Sequence, residues 1–286
     1  MQPGLAGNPP FMNNFRNVFF ACTLVLAAHA PAAAASFTAT LGSIRISARP
    51  GEVQTREFRL TLNPDQHKTR FTAQMQDWWR SEDGAQSFYA EPGKLARSCG
   101  RWVGLNPVEV DVLPGGTMIT RLTVSVPVEV TPGGYWCVLT VDEVPDPLAV
   151  SEGVGIRFMA SVSIGVFVYV GEQHRVAEIT AVDILKESAV VTVRNDGNTP
   201  LAIEGRFEFI KPGATAPTAV VALARSVLLT EPFITGAFSA KLPDPALLPS
   251  GRYIVRAIVD FGVDHYIGTQ REMNIERSVL VVRRSE

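Results

Sequence analysis

Between Gly155 and Gly171 the chain reads GIRFMASVSIGVFVYVG. The even positions Ile156, Phe158, Ala160, Val162, Ile164, Val166, Val168 and Val170 are all apolar. The odd positions, Arg157, Met159, Ser161, Ser163 and Gly165, are mostly polar or small at first and turn aromatic at the end (Phe167, Tyr169). A strict period of two places successive side chains on opposite faces, so this run predicts a long β-strand with one apolar face. At about 3.3 Å per residue, Ile156–Val170 would span about 50 Å. That exceeds what one small sheet covers. Such a strand either bridges two domains or offers part of its apolar face to something else.

The first 35 residues set the compartment. They hold no acid and one cation, Arg16, then an apolar run from Val18 to Ala28 and small residues up to Ala35. A positive start, a short apolar core and small residues before a cut describe a secretory signal peptide, with cleavage expected after Ala35. The apolar core is too short for a membrane span. Met12 is a candidate start, and Cys22 read as a lipid acceptor fits poorly because the apolar core continues past it. Removal of Arg16 with the leader takes the 26 basic residues to 25, against 28 acidic. No basic surplus exists for nucleic acid or an anionic membrane, and no membrane insertion is expected after cleavage.

Export bears on the remaining cysteines. Cys99 and Cys137 are a pair in a chain headed for an oxidising compartment, which favours a disulfide. The alternative is two buried thiols that never meet. In Tyr135-Trp136-Cys137-Val138-Leu139, alternation puts Cys137 on the face of Tyr135, Leu139 and Val141, the inward one.

The rest reads as strand after strand. The first half predicts Phe37–Ser47, Gln54–Leu62, Lys68–Trp79, Val108–Leu113, Thr117–Val126, Tyr135–Glu143 and the long strand Ile156–Val170. Between them sit turn signals such as Arg49-Pro50-Gly51-Glu52, Leu113-Pro114-Gly115-Gly116 and Thr131-Pro132-Gly133-Gly134. After the polar break Gly171-Glu172-Gln173-His174 the pattern restarts. It predicts Ala177–Leu185, Ala189–Arg194, Leu201–Ile210, Thr218–Ala224, Ser226–Leu229, Ile234–Ala240, Gly251–Phe261 and Arg271–Val282. Short strands at this spacing, with no amphipathic helix among them, predict antiparallel sandwiches. The expected class is all-β, with two consecutive immunoglobulin-like sandwiches: a leader over 1–35, a first domain over 36–171 and a second over 172–286.

Several phrases then carry a resemblance. They are Ala73-Gln74-Met75-Gln76-Asp77-Trp78 with Glu82-Asp83-Gly84, Ser98-Cys99-Gly100-Arg101-Trp102, Asn106-Pro107, Leu113-Pro114-Gly115-Gly116 and Gly134-Tyr135-Trp136. Val193-Arg194-Asn195-Asp196-Gly197-Asn198-Thr199-Pro200 and Gly251-Arg252-Tyr253 with Asp260-Phe261-Gly262 continue it in the second half. Together they resemble the periplasmic pilus-assembly chaperone superfamily. The resemblance implies a periplasmic, non-enzymatic protein whose partner is an exported one, such as a pilin-like subunit or an outer-membrane assembly component. Such chaperones add the last strand of their first domain to an open sheet edge. By position, Ile156, Phe158, Ala160, Val162 and Ile164 would face the partner; the competing expectation is that this face packs into the first domain's own core. The family also anchors the subunit's terminal carboxylate with an Arg on the first strand and a Lys on the last. Arg45 is the candidate for the Arg, whereas Gly165 stands where the Lys belongs, and no Lys occurs between Lys94 and Lys186.

Signals for other chemistry are sparse. His67, His174 and His265 sit beside turns without metal-ligand spacing, and no phosphate-binding or nucleophile-elbow motif occurs, so no catalysis, metal or cofactor is expected. Acids in Glu82-Asp83 and Asp142–Asp146 read as solvated turns, with a calcium site as the lesser alternative. Trp78, Trp79, Trp102 and Trp136 keep a second function open, a cell-envelope or carbohydrate-binding β-sandwich module, against the commoner fate of aromatic packing.

Overall fold

Proline and glycine turns cut the chain into strands that the hydrophobic alternation then assigns to faces, and the computed structural model follows that logic. It describes residues 37–39, 42–144 and 159–276; the predicted leader, Ile156, Arg157 and Phe158 lie outside them. The described residues belong to one compact unit of the chain.

The first sandwich is built from β1 (Phe37–Ala39), β2 (Ser43–Ala48), β3 (Val53–Leu62), β4 (Thr69–Arg80), β5 (Gln86–Tyr89), β6 (Val103–Asn106), β7 (Glu109–Val112), β8 (Thr117–Ser125), β9 (Gly133–Val144) and β10 (Ser161–Val170). One sheet runs β1-β3-β8-β6; the facing one runs β2-β10-β9-β4-β5, with β7 also on β4. Phe58, Leu60 and Leu62 of β3 and Phe71, Ala73 and Met75 of β4 bury their apolar faces between the sheets. The expected single strand Phe37–Ser47 is two. β1 pairs antiparallel with β3 in one sheet, and β2 pairs parallel with β10 in the other. Alternation reports a face and is silent on which sheet owns it, so the crossover was invisible to it.

The second sandwich packs β11 (Ala177–Ile184), β12 (Ser188–Asn195) and β15 (Thr235–Lys241) against β14 (Ala219–Leu228), β13 (Leu201–Ile210), β16 (Gly251–Asp260) and β17 (Ile267–Ile275). The two stretches expected at Thr218–Ala224 and Ser226–Leu229 are one strand, β14. Ile203 faces Ser226 but Gly205 faces Leu223, so Ala224 and Arg225 oppose the single residue Glu204. This is a β-bulge, and it shifts the phase of the apolar pattern. Each sandwich also carries a tyrosine corner, a mark of immunoglobulin-like folds: Tyr135 Oη donates to Thr131 O at 2.8 Å and Tyr253 Oη to Pro249 O at 3.1 Å.

Glycine lets the two sandwiches meet. Gly133 (φ 130°) and Gly134 open β9 where Gly134 N donates to Asn198 O at 2.9 Å. A Cβ on Gly134 would lie 2.4 Å from Pro200 Cδ, so no larger residue fits this seat. On the other side the β4–β5 turn reaches β15, with Ala237 N donating to Glu82 O at 2.7 Å. Between these links lies a separate apolar cluster of Trp78, Trp136, Val138, Phe167 and Leu229, with Trp79, Tyr169, Val227 and Phe233 packed on it.

Candidate functional site

β10 is buried on both faces over its second half. Ile164, Val166, Val168 and Val170 enter the first sandwich's core, with Val162 packed against it, whereas Phe167 and Tyr169 join the cluster between the sandwiches. The competing expectation therefore describes Val162 and Ile164: their side chains serve the chain's own core, and Ile164 is 1% exposed. Ala160 is half-buried and lies just before the strand. Its carbonyl accepts from Glu143 N at 3.0 Å, and its N–H donates to Glu143 Oε2 at 3.3 Å. Within the described residues the strand is thus shorter than the alternation predicts, beginning at Ser161 opposite Asp142 near the end of β9.

The backbone of this first half is the notable feature. β9 pairs with β10 from Ser161 to Val170, but β2 covers only Gly165 to Val170 on the other side. Among the described residues no strand pairs with the outer edge of Ser161–Ile164. Because Ala160 bonds to β9, alternation turns the N–H and C=O of Ser161 and Ser163 away from β9, into that open edge. The Ser161 and Ser163 hydroxyls are held on the strand's other neighbours, with Ser161 Oγ donating to Asp142 Oδ1 at 2.6 Å and Ser163 Oγ 3.2 Å from Thr140 Oγ1.

Where β2 begins, a groove of about 340 Å³ opens between the sandwiches. Its floor is the outer face of the β2-β10-β9-β4-β5 sheet, namely Ser43, Arg45, Ser163, Gly165, Phe167, Val138, Trp78, Arg80, Gln86 and Phe88; its far wall is Ala202, Arg225, Ser226 and Val227. Three arginines and no acid line it. Arg45 lies beside Phe167 in register and places its guanidinium carbon 5.8 Å from that ring's centre, a cation–π distance. The same ring explains Gly165: a Cβ there would sit 2.9 Å from Phe167 Cε2, so the aromatic fills the space a lysine side chain would start from. Arg80 Nη1 donates to Ser226 Oγ, its Nε is buried without a partner, and burial lowers its pKa. Arg45, which the family resemblance alone had singled out, is among the lining residues. Arg80 and Arg225 carry no spacing signal; they lie on strands of different sandwiches that only the fold brings together.

The tryptophans do not form a platform. Trp78 Nε1 donates to Cys137 O at 3.2 Å and Trp136 Nε1 to Trp78 O at 2.8 Å, tying two indoles into the buried cluster. Trp79 stacks between Tyr89 and Phe233, and Trp102 packs on Tyr135 in the first sandwich's core. Cys99 and Cys137 are bonded, with Cα atoms 5.4 Å apart. The segment before Cys99 lies along β9, since Trp136 N donates to Arg97 O and Cys99 N to Trp136 O. Buried Asp77 holds it there by accepting from Lys94 N, Leu95 N and Ser98 Oγ. No cluster with metal-ligand composition occurs among the described residues, and His67, His174 and His265 are exposed.

Fold and site together define a class: a pair of immunoglobulin-like sandwiches with an unpaired strand edge leading into a cationic cleft. No protein-family model and no curated protein matches the chain. The solved structures it is similar to are mostly pilus chaperones. The Pseudomonas aeruginosa CupB2 chaperone is 16% identical with a TM-score of 0.45, over 84% of this chain and all of that one. The E. coli chaperone DraB is 14% identical (TM-score 0.39; 85% of this chain and 97% of that one). The SafB chaperone structure of Salmonella enterica, solved with the SafA pilin, gives 10% identity and a TM-score of 0.42, over 82% and 97% of the two chains. No helix among the described residues is long and apolar enough to cross a membrane.

Proposed function

We propose that this is an exported, periplasmic binding protein of the assembly-chaperone type, which lends the edge of β10 to an incomplete sheet of an exported partner such as a pilin-like subunit. The observation that carries this reading is the edge of Ser161–Ile164, left open by β2 and flanked by the arginine-lined groove. Strand addition derives its affinity from main-chain hydrogen bonds, which an unpaired edge supplies without rearrangement. With Val162 and Ile164 packed inward, the partner's bonds fall on the backbone of Ser161 and Ser163, and its side chains meet the cleft face.

The test removes one edge donor. Ser163→Pro deletes an N–H that points away from β9, a position where an edge strand tolerates proline. A tagged wild-type protein should retain a pilin-like or surface protein from periplasmic extract, and the variant should lose it with its melting temperature within a few degrees of wild type. Equal retention by both proteins, or retention of glycan with no protein, overturns the reading.

A further inference from the structure

We propose that Ser161 and Ser163 select the strand added to β10 by its side chains, favouring a segment in which apolar residues alternate with uncharged hydrogen-bond donors such as Ser, Thr, Asn or Gln. This inference rests on the strand-addition reading and adds to it the chemistry of the segment that pairs. It follows from where each hydroxyl directs its one hydrogen. Thr140 Oγ1 donates to Gln76 Oε1 at 2.9 Å, so it has no hydrogen left for Ser163. At the 3.2 Å contact between Ser163 Oγ and Thr140 Oγ1, Ser163 is therefore the donor. Ser161 Oγ donates to Asp142 Oδ1 at 2.6 Å, because a carboxylate only accepts. Asp142 is itself held by Gln74 Nε2 at 3.1 Å. Both serines thus turn their hydrogens back into the sheet and offer only lone pairs to whatever lies beside them.

The open edge sets what lies beside them. The N–H and C=O of Ser161 and Ser163 face away from β9, so residues of an added strand directly opposite them share the cleft face of the sheet. Both serines are exposed. Cβ atoms of such cross-strand pairs are about 4.5–5.5 Å apart, close enough for a hydroxyl or amide to bond across. A side chain with a hydrogen to give satisfies the lone pairs, valine or leucine leaves them unmet, and a carboxylate sets lone pairs against lone pairs. Lysine and arginine also carry hydrogens, but Ser163 lies in the groove lined by Arg45, Arg80 and Arg225 and by no acid, which repels a further cation. The intervening residues of the added strand fall on the face of Val162 and Ile164, the side of the first sandwich's core, so they are apolar. Main-chain bonds hold any extended segment; the two serines tell one segment from another.

Two peptides that differ only at their hydroxyls test this. The probes are N-acetyl-Val-Ser-Val-Ser-Val-Ser-amide and the same sequence built with O-methylserine, which keeps each side-chain oxygen as an acceptor and removes its hydrogen. Each is titrated into the nitrogen-15-labelled full chain, where the amide resonances of Ser161 and Ser163 report binding at this edge. The double variant Ser161→Ala with Ser163→Ala gives the ratio of the two affinities without the edge hydroxyls. In wild type that ratio should favour the serine peptide by at least about threefold more, the size of a net hydrogen bond. Thr140→Val and, by a separate route, Gln76→Met free the Ser163 hydrogen to turn outward, and each should shrink the preference. The same ratio in wild type and double variant overturns the selection while strand addition stands. A preference untouched by both Thr140→Val and Gln76→Met overturns the donor assignment at Ser163. If neither peptide moves the two resonances, strand addition falls and the selection with it.

Discussion

Breaking the Cys99–Cys137 bond should weaken the first sandwich through its unfolded state. The two cysteines are separated by 38 positions. For a loop of that size the chain-entropy model gives about 4 kcal/mol at 25 °C. Little of this should be offset by relaxation of the folded protein. The segment at Cys99 stays pinned by its backbone bonds to Trp136 and by Asp77 whether or not the sulfurs are joined. The protein has four tryptophans, Trp78, Trp79, Trp102 and Trp136, all on the first sandwich, so their emission reports on that sandwich and, through Trp78, Trp79 and Trp136, on its seam with the second. Protein reduced in denaturant and refolded under reductant keeps every atom of the core, which avoids the cavity that alanine substitutions would add. Its urea midpoint should fall by about 1–2 M relative to the oxidised protein, with a slope of about 2–3 kcal/mol per M. A midpoint within about 0.3 M of the oxidised value would refute the reasoning and locate the bond's effect outside loop entropy.

Two further outcomes are expected. Gly165→Ala should destabilise by about 1 kcal/mol, because overpacking against Phe167 outweighs the gain from removing a strand glycine; in a Phe167→Ala background the same change should be neutral or stabilising, and an equal cost in both backgrounds would contradict the contact. The Arg70 guanidinium and then the Lys68 ammonium beside Asp111 hold its carboxyl at about 2. A depressed acid contributes stability above its ordinary value near 3.8 and loses it as pH falls towards 2. The carboxyl carbon resonance of Asp111 should therefore titrate near 2 in wild type and move up in Arg70→Gln, and an unmoved midpoint would remove Arg70 as the cause.

Most strands were legible because one face of each is buried, and burial writes a period of two into the sequence. β3, β4, β8 and β16 fall within a residue or two of where alternation places them. The misses have physical reasons. β5 has only four residues, too few for a period to emerge, and Arg225 reads as a break because a bulge resets the phase. Cys99 and Cys137 were legible as a pair from compartment and count, but not the Asp77-held segment that brings them together. At the candidate site, Arg45 came from the family resemblance alone and the open edge was not visible: the sequence of β10 describes its side chains, whereas the edge is defined by where β2 stops. Val162 and Ile164 show the limit of pattern, since an apolar face looks the same whether it meets a partner or its own core.

The pairing of β2 with β10 also orders events in time. β2 is synthesised early, yet its one partner strand among the described residues, β10, is the last of the first sandwich to be made. Contacts so distant in sequence form late, after the loops between them have closed. The strand that completes the domain is thus the one that carries the open edge. A half-made chain has no such edge to present; under the strand-addition proposal, binding waits until the first domain is whole.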